Sequence, residues 1–278
     1  MLGITNAGIG KKGLEEMFYQ QTLQSVLIAT GVPAITNANN LYKNNTASGS
    51  YPDSTFKYIF TGEATSFNNG FEGCTNLTSV SNLDTRNVLT MSYLFKDCTS
   101  LSSVDWFDTS KCTDFTGMFY NTGEISTWEE LDTSNGENFS NMFYYAKSTC
   151  IFDIDTRKGK QFTTMFMGSK VQHIPDISFD SLENSTSIGE MFRDCTDLVT
   201  LIDNPYAPEG HRWNLDSGIL NFSDCPLDRT SILKVFNGVL PAVGIYHSIG
   251  ISSTTNGYLS ADDKAIAENK GWTVTVAA

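Results

Sequence analysis

The sequence predicts an α/β repeat fold, a solenoid whose units of about 24 residues each supply a short strand, a turn and a short helical turn. Three observations predict it. A phrase made of an apolar residue, spacers, usually Met or Leu, and then Phe ends at Phe71, Phe95, Phe119, Phe143, Phe166 and Phe192, in steps of 24, 24, 24, 23 and 26 residues. Other apolar columns keep the same step. Phe67, Met91, Phe115, Phe139, Phe162 and Ile188 stand four residues before each Phe, a spacing that places side chains on one helical face. Leu77, Leu101 and Ile125, then Val80, Val104 and Trp128, then Leu83, Phe107, Leu131 and Ile154, mark the rungs of a short extended segment. Finally, units close on Asp-Thr, at Asp84-Thr85, Asp108-Thr109, Asp132-Thr133 and Asp155-Thr156. One strand and one turn cannot bury a Phe alone, whereas stacked copies give each ring a floor and a ceiling. At about 1.5–3 kcal/mol per buried ring, the ladder of six is the expected main source of stability.

The full phrase joins Leu-Asp-Thr-Ser to a later Met-Phe and then to a small residue or Cys. Its residues are Leu83-Asp84-Thr85, Thr109-Ser110, Leu131-Asp132-Thr133-Ser134, Met118-Phe119, Met142-Phe143, Met165-Phe166 and Met191-Phe192. It resembles the BspA-like leucine-rich repeats of bacterial surface proteins. That resemblance implies a leucine-rich-repeat solenoid and a role as an adhesin or recognition surface rather than an enzyme. The copies lack the long Leu-Asp-Leu strand usual in that family, which leaves strand length open.

Residues 1–55 read as an N-terminal helix and linker, an anchor or cap. "GIGKKG" at Gly8–Gly13 matches a dinucleotide-binding spacing, but no buried strand precedes it and no strand-helix-strand unit surrounds it. Leu14, Met17, Phe18, Val26 and Leu27 make residues 12–30 one amphipathic helix, ended by Gly31 and Pro33. Residues 36–55, rich in Asn, Ser, Thr and Gly, read as linker. Residues 56–202 are the solenoid, with "FKYIF" at Phe56–Phe60 as its first strand. "NPYAPEGHRW" around Pro205 and Pro208 breaks the phase, and residues 203–278 form a C-terminal leucine-rich-repeat-like capping unit. There Leu220-Asn221-Phe222 reads as a strand, residues 229–239 as a helix, "HSIGI" as a strand, Ser260 as an N-cap, Gly271 as a helix stop and residues 272–276 as a last strand. The run from Asp263 to Trp272, DKAIAENKGW, is similar to the C-terminal units of repeat proteins from gut bacteria and their phages.

A net charge of −13, from 31 acidic against 18 basic residues, argues against a nucleic-acid partner, which needs basic stripes to neutralise phosphates, and against an anionic membrane surface. No apolar run is long enough to span a bilayer, and no secretory signal is evident in residues 1–24, which carry Lys11, Lys12, Glu15 and Glu16. Of six Cys, Cys74, Cys98 and Cys195 share a column with Thr122, Ala146 and Ser169, which suits a small buried thiol better than a Cys74–Cys98 bridge.

Catalytic machinery is not evident. His173, His211 and His247 share no column, and neither a nucleophile-elbow nor a zinc-protease motif is present. His211, Arg212 and Trp213 form at most a small loop cluster. The column of Asp84, Asp108, Asp132 and Asp155 serves Asx-type turns better than calcium. No metal and no cofactor are expected. Aromatics at otherwise polar columns are the better lead: Tyr120 and Tyr144 share a column with Glu72, Lys96, Met167 and Arg193, and Tyr145 one with Gly73, Asp97, Asn121, Gly168 and Asp194. Facing solvent, they would stack on sugars or anchor a protein; Trp106, in a column with Asn82 and Glu130, joins them as a binding candidate. With the C-terminal resemblance and no evident signal peptide, the expectation is a non-enzymatic recognition protein of a phage virion, of tail or head fibre type. It would bind a host-cell surface glycan or protein and contact other virion proteins through residues 1–55, where it could trimerise. The alternatives are a purely structural virion component and an adhesin that is secreted or on the bacterial cell surface.

Overall fold

The structure, a computed structural model, describes residues 37–44, 49–51, 63–80, 83–175, 177, 188–202, 219–239 and 247–277. The "GIGKKG" run, the amphipathic helix at 12–30, the strand at 56–60 and the His211 cluster lie outside the described residues.

Successive copies stack as coils joined by two kinds of parallel ladder. The first is a sheet. Strands β1 (Gly49–Tyr51), β2 (Leu77–Val80), β3 (Ser103–Val104) and β4 (Thr127–Trp128) pair in parallel in chain order, with Ser79 opposite Ser103 and Ser103 opposite Thr127. A parallel bridge from Cys150 to His173 leads to β5 (His173–Pro175) and β6 (Thr200–Ile202). The C-terminal unit is a three-stranded parallel sheet of β7 (Ile219–Phe222), β8 (His247–Ile251) and β9 (Trp272–Val276).

The second ladder runs through the Phe phrase, and in the described copies from Tyr42 to Phe166 the expected turn of helix is absent. In the six copies from Tyr42 to Phe166 the residues two before and two after the ring have left-handed backbone, and in the Phe192 copy only the one after it does. Before it stand Asn40, Asn69, Tyr93, Gly117, Asn141 and Thr164; after it stand Asn44, Gly73, Asp97, Asn121, Tyr145, Gly168 and Asp194. A right-handed helix cannot continue through such residues. The phrase is instead a run of overlapping β-turns, as in Leu94 N–H to Met91 O, Lys96 N–H to Tyr93 O and Cys98 N–H to Phe95 O. The intervening amides point to the next coil: Met91, Tyr93, Phe95 and Asp97 donate to the carbonyls of Asp114, Thr116, Met118 and Tyr120 at 2.7–3.0 Å. The same four bonds, all in one sense, join five consecutive coils from Tyr42 to Phe143 to the coil that follows each. Alternate amides therefore serve their own coil and the next, which satisfies a backbone that would otherwise be buried unpaired.

Between the ladders lies the core. Its ring column is longer than the sequence phrase: Tyr42 stacks on Phe71 at 5.0 Å, the six Phe follow at 5.5–5.9 Å, and Phe222 closes on Phe192 at 4.8 Å. Phe115, Phe139 and Phe162 form a second stack at 5.6–5.7 Å. Residues 37–44 are thus a coil bonded to the Phe71 copy, and Gly49–Tyr51 is a strand, so the linker reading of 36–55 is corrected over these residues. Its Asn residues are there for left-handed turns, at Asn40 and Asn44, not for flexibility.

The C-terminal unit begins with helix α1 (Arg229–Lys234), whose N-cap Asp228 accepts from Ser231 N–H and which continues as a π turn over Val235–Val239. Helix α2 (Ser253–Gly257), unexpected from sequence, follows β8. Helix α3 (Ala261–Glu268) starts with a reciprocal capping box between Ser260 and Asp263. Gly271, at φ +91°, turns the chain into β9.

Candidate functional site

Counting from the ring, the residue one position on forms a column of Lys43, Glu72, Lys96, Tyr120, Tyr144, Met167 and Arg193. Each neighbour pair along its first half attracts. Glu72 sits between Lys43 at 2.7 Å and Lys96 at 3.0 Å. Burial alone would lift the Glu72 carboxyl, but hydrogen bonds and charge from Lys43 and Lys96 outweigh it and hold it below the usual carboxylate range. The Lys96 ammonium then lies 5.6 Å from the ring centres of both Tyr93 and Tyr120.

From there a ledge of tyrosines runs on: Tyr93 meets Tyr120 edge to face at 6.4 Å, Tyr120 stacks on Tyr144 at 4.6 Å, and Tyr144 meets Tyr145 edge to face at 4.7 Å. Burial, and next to it Tyr144, raise the pKa of the Tyr120 phenol, so it is a neutral hydrogen-bond donor at physiological pH. Tyr145 is 45% exposed, while Tyr93, Tyr120 and Tyr144 are half-buried rather than solvent-facing, because their faces cover one another. Trp106 is 61% exposed but stands eleven residues past Phe95, beyond β3, and joins none of these rings.

Two members of the ledge occupy unfavourable backbone. Tyr93 has φ +57° and Tyr145 φ +51°, in columns where most other copies hold Asn, Asp or Gly; a bulky side chain there costs on the order of 1 kcal/mol. In each case the next coil has Gly in the same column. A Cβ on Gly117 would lie 2.2 Å from the Tyr93 ring, and one on Gly168 would lie 2.5 Å from the Tyr145 ring. The rings therefore lie flat on bare backbone. Tyr93 and Lys96 were missed by sequence reasoning; the available signal was a Tyr followed one period later by Gly.

The Asp column is structural. Asp108 and Asp132 accept the amide hydrogens of Ser110 and Ser134, and Asp84 and Asp155 grip Arg86 and Arg157 through both oxygens. Each following Thr ties its coil to the next: Thr85, Thr109 and Thr133 hydroxyls donate to the carbonyls of Asp108, Asp132 and Asp155. All six Cys are free. Cys98, Cys195 and Cys225 donate to the carbonyls of Phe71, Phe166 and Phe192 in the preceding coil.

For Asp155, burial would raise the carboxyl, but Arg157, through its side chain and its amide, holds it below the ordinary range. A group depressed in the folded state contributes stability above its unfolded pKa and loses it as pH falls through the folded value. Asp155→Asn is expected to lower stability near neutrality and to flatten the acid limb, read by urea unfolding across pH. Acid limbs of equal slope in variant and wild type would contradict the assignment.

A sequence profile described as "Mycoplasma protein of unknown function, DUF285" matches residues 36–151 and 101–205, together more than half of the chain. No curated protein and no solved structure matches it significantly.

Proposed function

The chain belongs to the DUF285 family, and from that premise we propose a non-catalytic recognition protein, a leucine-rich-repeat-like solenoid of the BspA kind displayed on a surface. The tyrosine ledge is its binding face, and a host-surface glycan or protein is its ligand. One observation carries this reading: Tyr93 and Tyr145 hold strained left-handed backbone and are seated on glycines of the next coil. Strain of this kind is retained where the side chain does something that a relaxed residue would not. Aromatic faces held rigid lose little entropy on binding, which suits stacking against a sugar ring or anchoring a protein partner.

The proposed place of display is a phage virion, supported by the DKAIAENKGW ending at Asp263–Trp272. A bacterial cell surface is the second reading, supported by the bacterial description of the family.

Tyr145→Asn separates recognition from structure. Asn tolerates left-handed backbone, so the variant is expected to keep its stability or gain up to about 1 kcal/mol while ligand binding weakens at least about tenfold, the loss of one modest hot spot. Binding is measured on glycan arrays and by adsorption of the labelled chain to host cells. Unchanged binding combined with lost stability would assign the ledge to packing alone.

A further inference from the structure

The tyrosine ledge has a layout and a charge pattern that narrow what it can hold. Its two glycine-seated rings stand at opposite ends: Tyr93, from the Phe95 coil, rests on Gly117, and Tyr145, from the Phe143 coil, rests on Gly168. Those coils are two steps apart, which separates the platforms by about 10 Å along the stack, at roughly 4.8 Å per parallel step. Tyr120 and Tyr144 fill the interval, in ring contact with each other and with the two end rings. A single sugar ring covers one platform; a linked chain is needed to reach both.

The charges around the ledge are already matched. The Lys96 ammonium beside Tyr93 and Tyr120 is paired with Glu72 at 3.0 Å and lies 3.9 Å from Asp97, while Glu72 also holds Lys43 at 2.7 Å. Past the other end, Arg193 is held by Glu190 at 3.0 Å and by Asp194 at 3.7 Å. An acidic glycan would find no unpaired cation in these clusters, and it would approach a chain of net charge −13. A basic peptide would find each of these carboxylates matched by the chain's own Lys or Arg.

The backbone is matched as well. The amides of Tyr93, Phe95 and Asp97 donate to the next coil, and those of Tyr120 and Tyr144 donate to the carbonyls of Gly117 and Asn141 in their own coils. An extended peptide therefore gains none of the main-chain bonds on which strand addition depends. The ledge offers ring surface and phenol hydroxyls, that of Tyr120 held neutral at physiological pH. Such groups suit the C–H faces and hydroxyls of a sugar.

Resting on the recognition reading above, we propose that the ligand is an uncharged, linear oligosaccharide laid along the coil stack. It stacks on Tyr93 at one end and on Tyr145 at the other, and its hydroxyls meet the phenols of Tyr120 and Tyr144.

The test places the full chain on arrays of linear gluco-, manno- and galacto-oligosaccharides of graded length, and on the same sugars carrying sulfate or uronate. Binding is expected on uncharged chains alone and only above a threshold length. It should change less than about twofold between about 0.05 and 0.5 M NaCl, over which the screening length shortens about threefold. Tyr93→Asn and Tyr145→Asn install a residue that other copies carry in the same columns, at Asn69, Asn141 and Asn121, so the fold should persist. Each should weaken long chains at least about tenfold. Adsorption to host cells should disappear once periodate has cleaved vicinal diols. Adsorption that survives periodate yet is lost in Tyr145→Asn would overturn the oligosaccharide and keep the recognition face, as would tyrosine-dependent binding confined to sulfated or uronate chains. Adsorption that both Asn variants leave intact would remove the face itself.

Discussion

Replacing Phe119 with alanine is expected to destabilise the chain by about 3–5 kcal/mol, a large part of what a domain of this kind has in hand. Phe119 is fully buried and sits in mid-column, stacked on Phe95 at 5.7 Å and on Phe143 at 5.5 Å, with the Trp128 indole set edge to face at 5.0 Å. Truncation therefore removes the ring's own transfer energy and leaves a void lined on three sides by aromatic groups held by two ladders. Those ladders keep the coils apart, so collapse into the void is limited and the cavity term stays near its upper value. Because a repeat array is stable only through its neighbours, the loss should split cooperative unfolding into two transitions, one on each side of the defect. Phe119→Leu keeps most of the volume and should cost less than about 1.5 kcal/mol. Urea unfolding followed by circular dichroism distinguishes the two. Equal losses for the Ala and Leu variants would show that the column is not what holds the stack.

The second large effect should come from adding atoms. Gly123→Ala is expected to cost about 3 kcal/mol, the upper end for overpacking. A Cβ on Gly123 would stand 2.6 Å from the carbonyl oxygen of Thr99 and 2.9 Å from that of Leu101. Both are backbone atoms of the preceding coil and cannot swing aside as a side chain does. Earlier copies carry Thr75 and Thr99 at this position, but here the chain is drawn inward so that the Gly123 amide donates to the Cys98 carbonyl at 3.1 Å. The substitution must lengthen that bond or push two coils apart. A thermal melt within a degree or two of wild type would show that the junction is looser than the structure has it.

The ring column was legible because its spacing survives in the sequence with little drift, and the last strand and the Ser260 cap because local capping chemistry is explicit. The backbone of the phrase was not. Apolar residues four apart are the mark of a helix, yet overlapping turns with left-handed residues four apart put the same side chains on one edge. The Asn and Gly residues at those places were the readable warning. Tyr42 and Phe222 escaped the count for another reason: they stack at either end of the column, but lie 29 and 30 residues from their neighbours and lack the Met-Phe phrase. At the candidate site, Tyr120, Tyr144 and Tyr145 could be placed by column, whereas Tyr93 and Lys96 could not, because a ledge is made by contacts between coils that a one-dimensional period does not describe.

The four forward-pointing amides at each of the five junctions that follow the Tyr42 to Phe143 coils have a consequence for how such a molecule changes over generations. Each of these coils offers the same donors ahead and the same acceptors behind, so the seams among them are chemically interchangeable. Loss or duplication of one of these units' codons by unequal recombination would alter the number of stacked coils without creating a mismatched join, leaving selection free to act on the tyrosines alone.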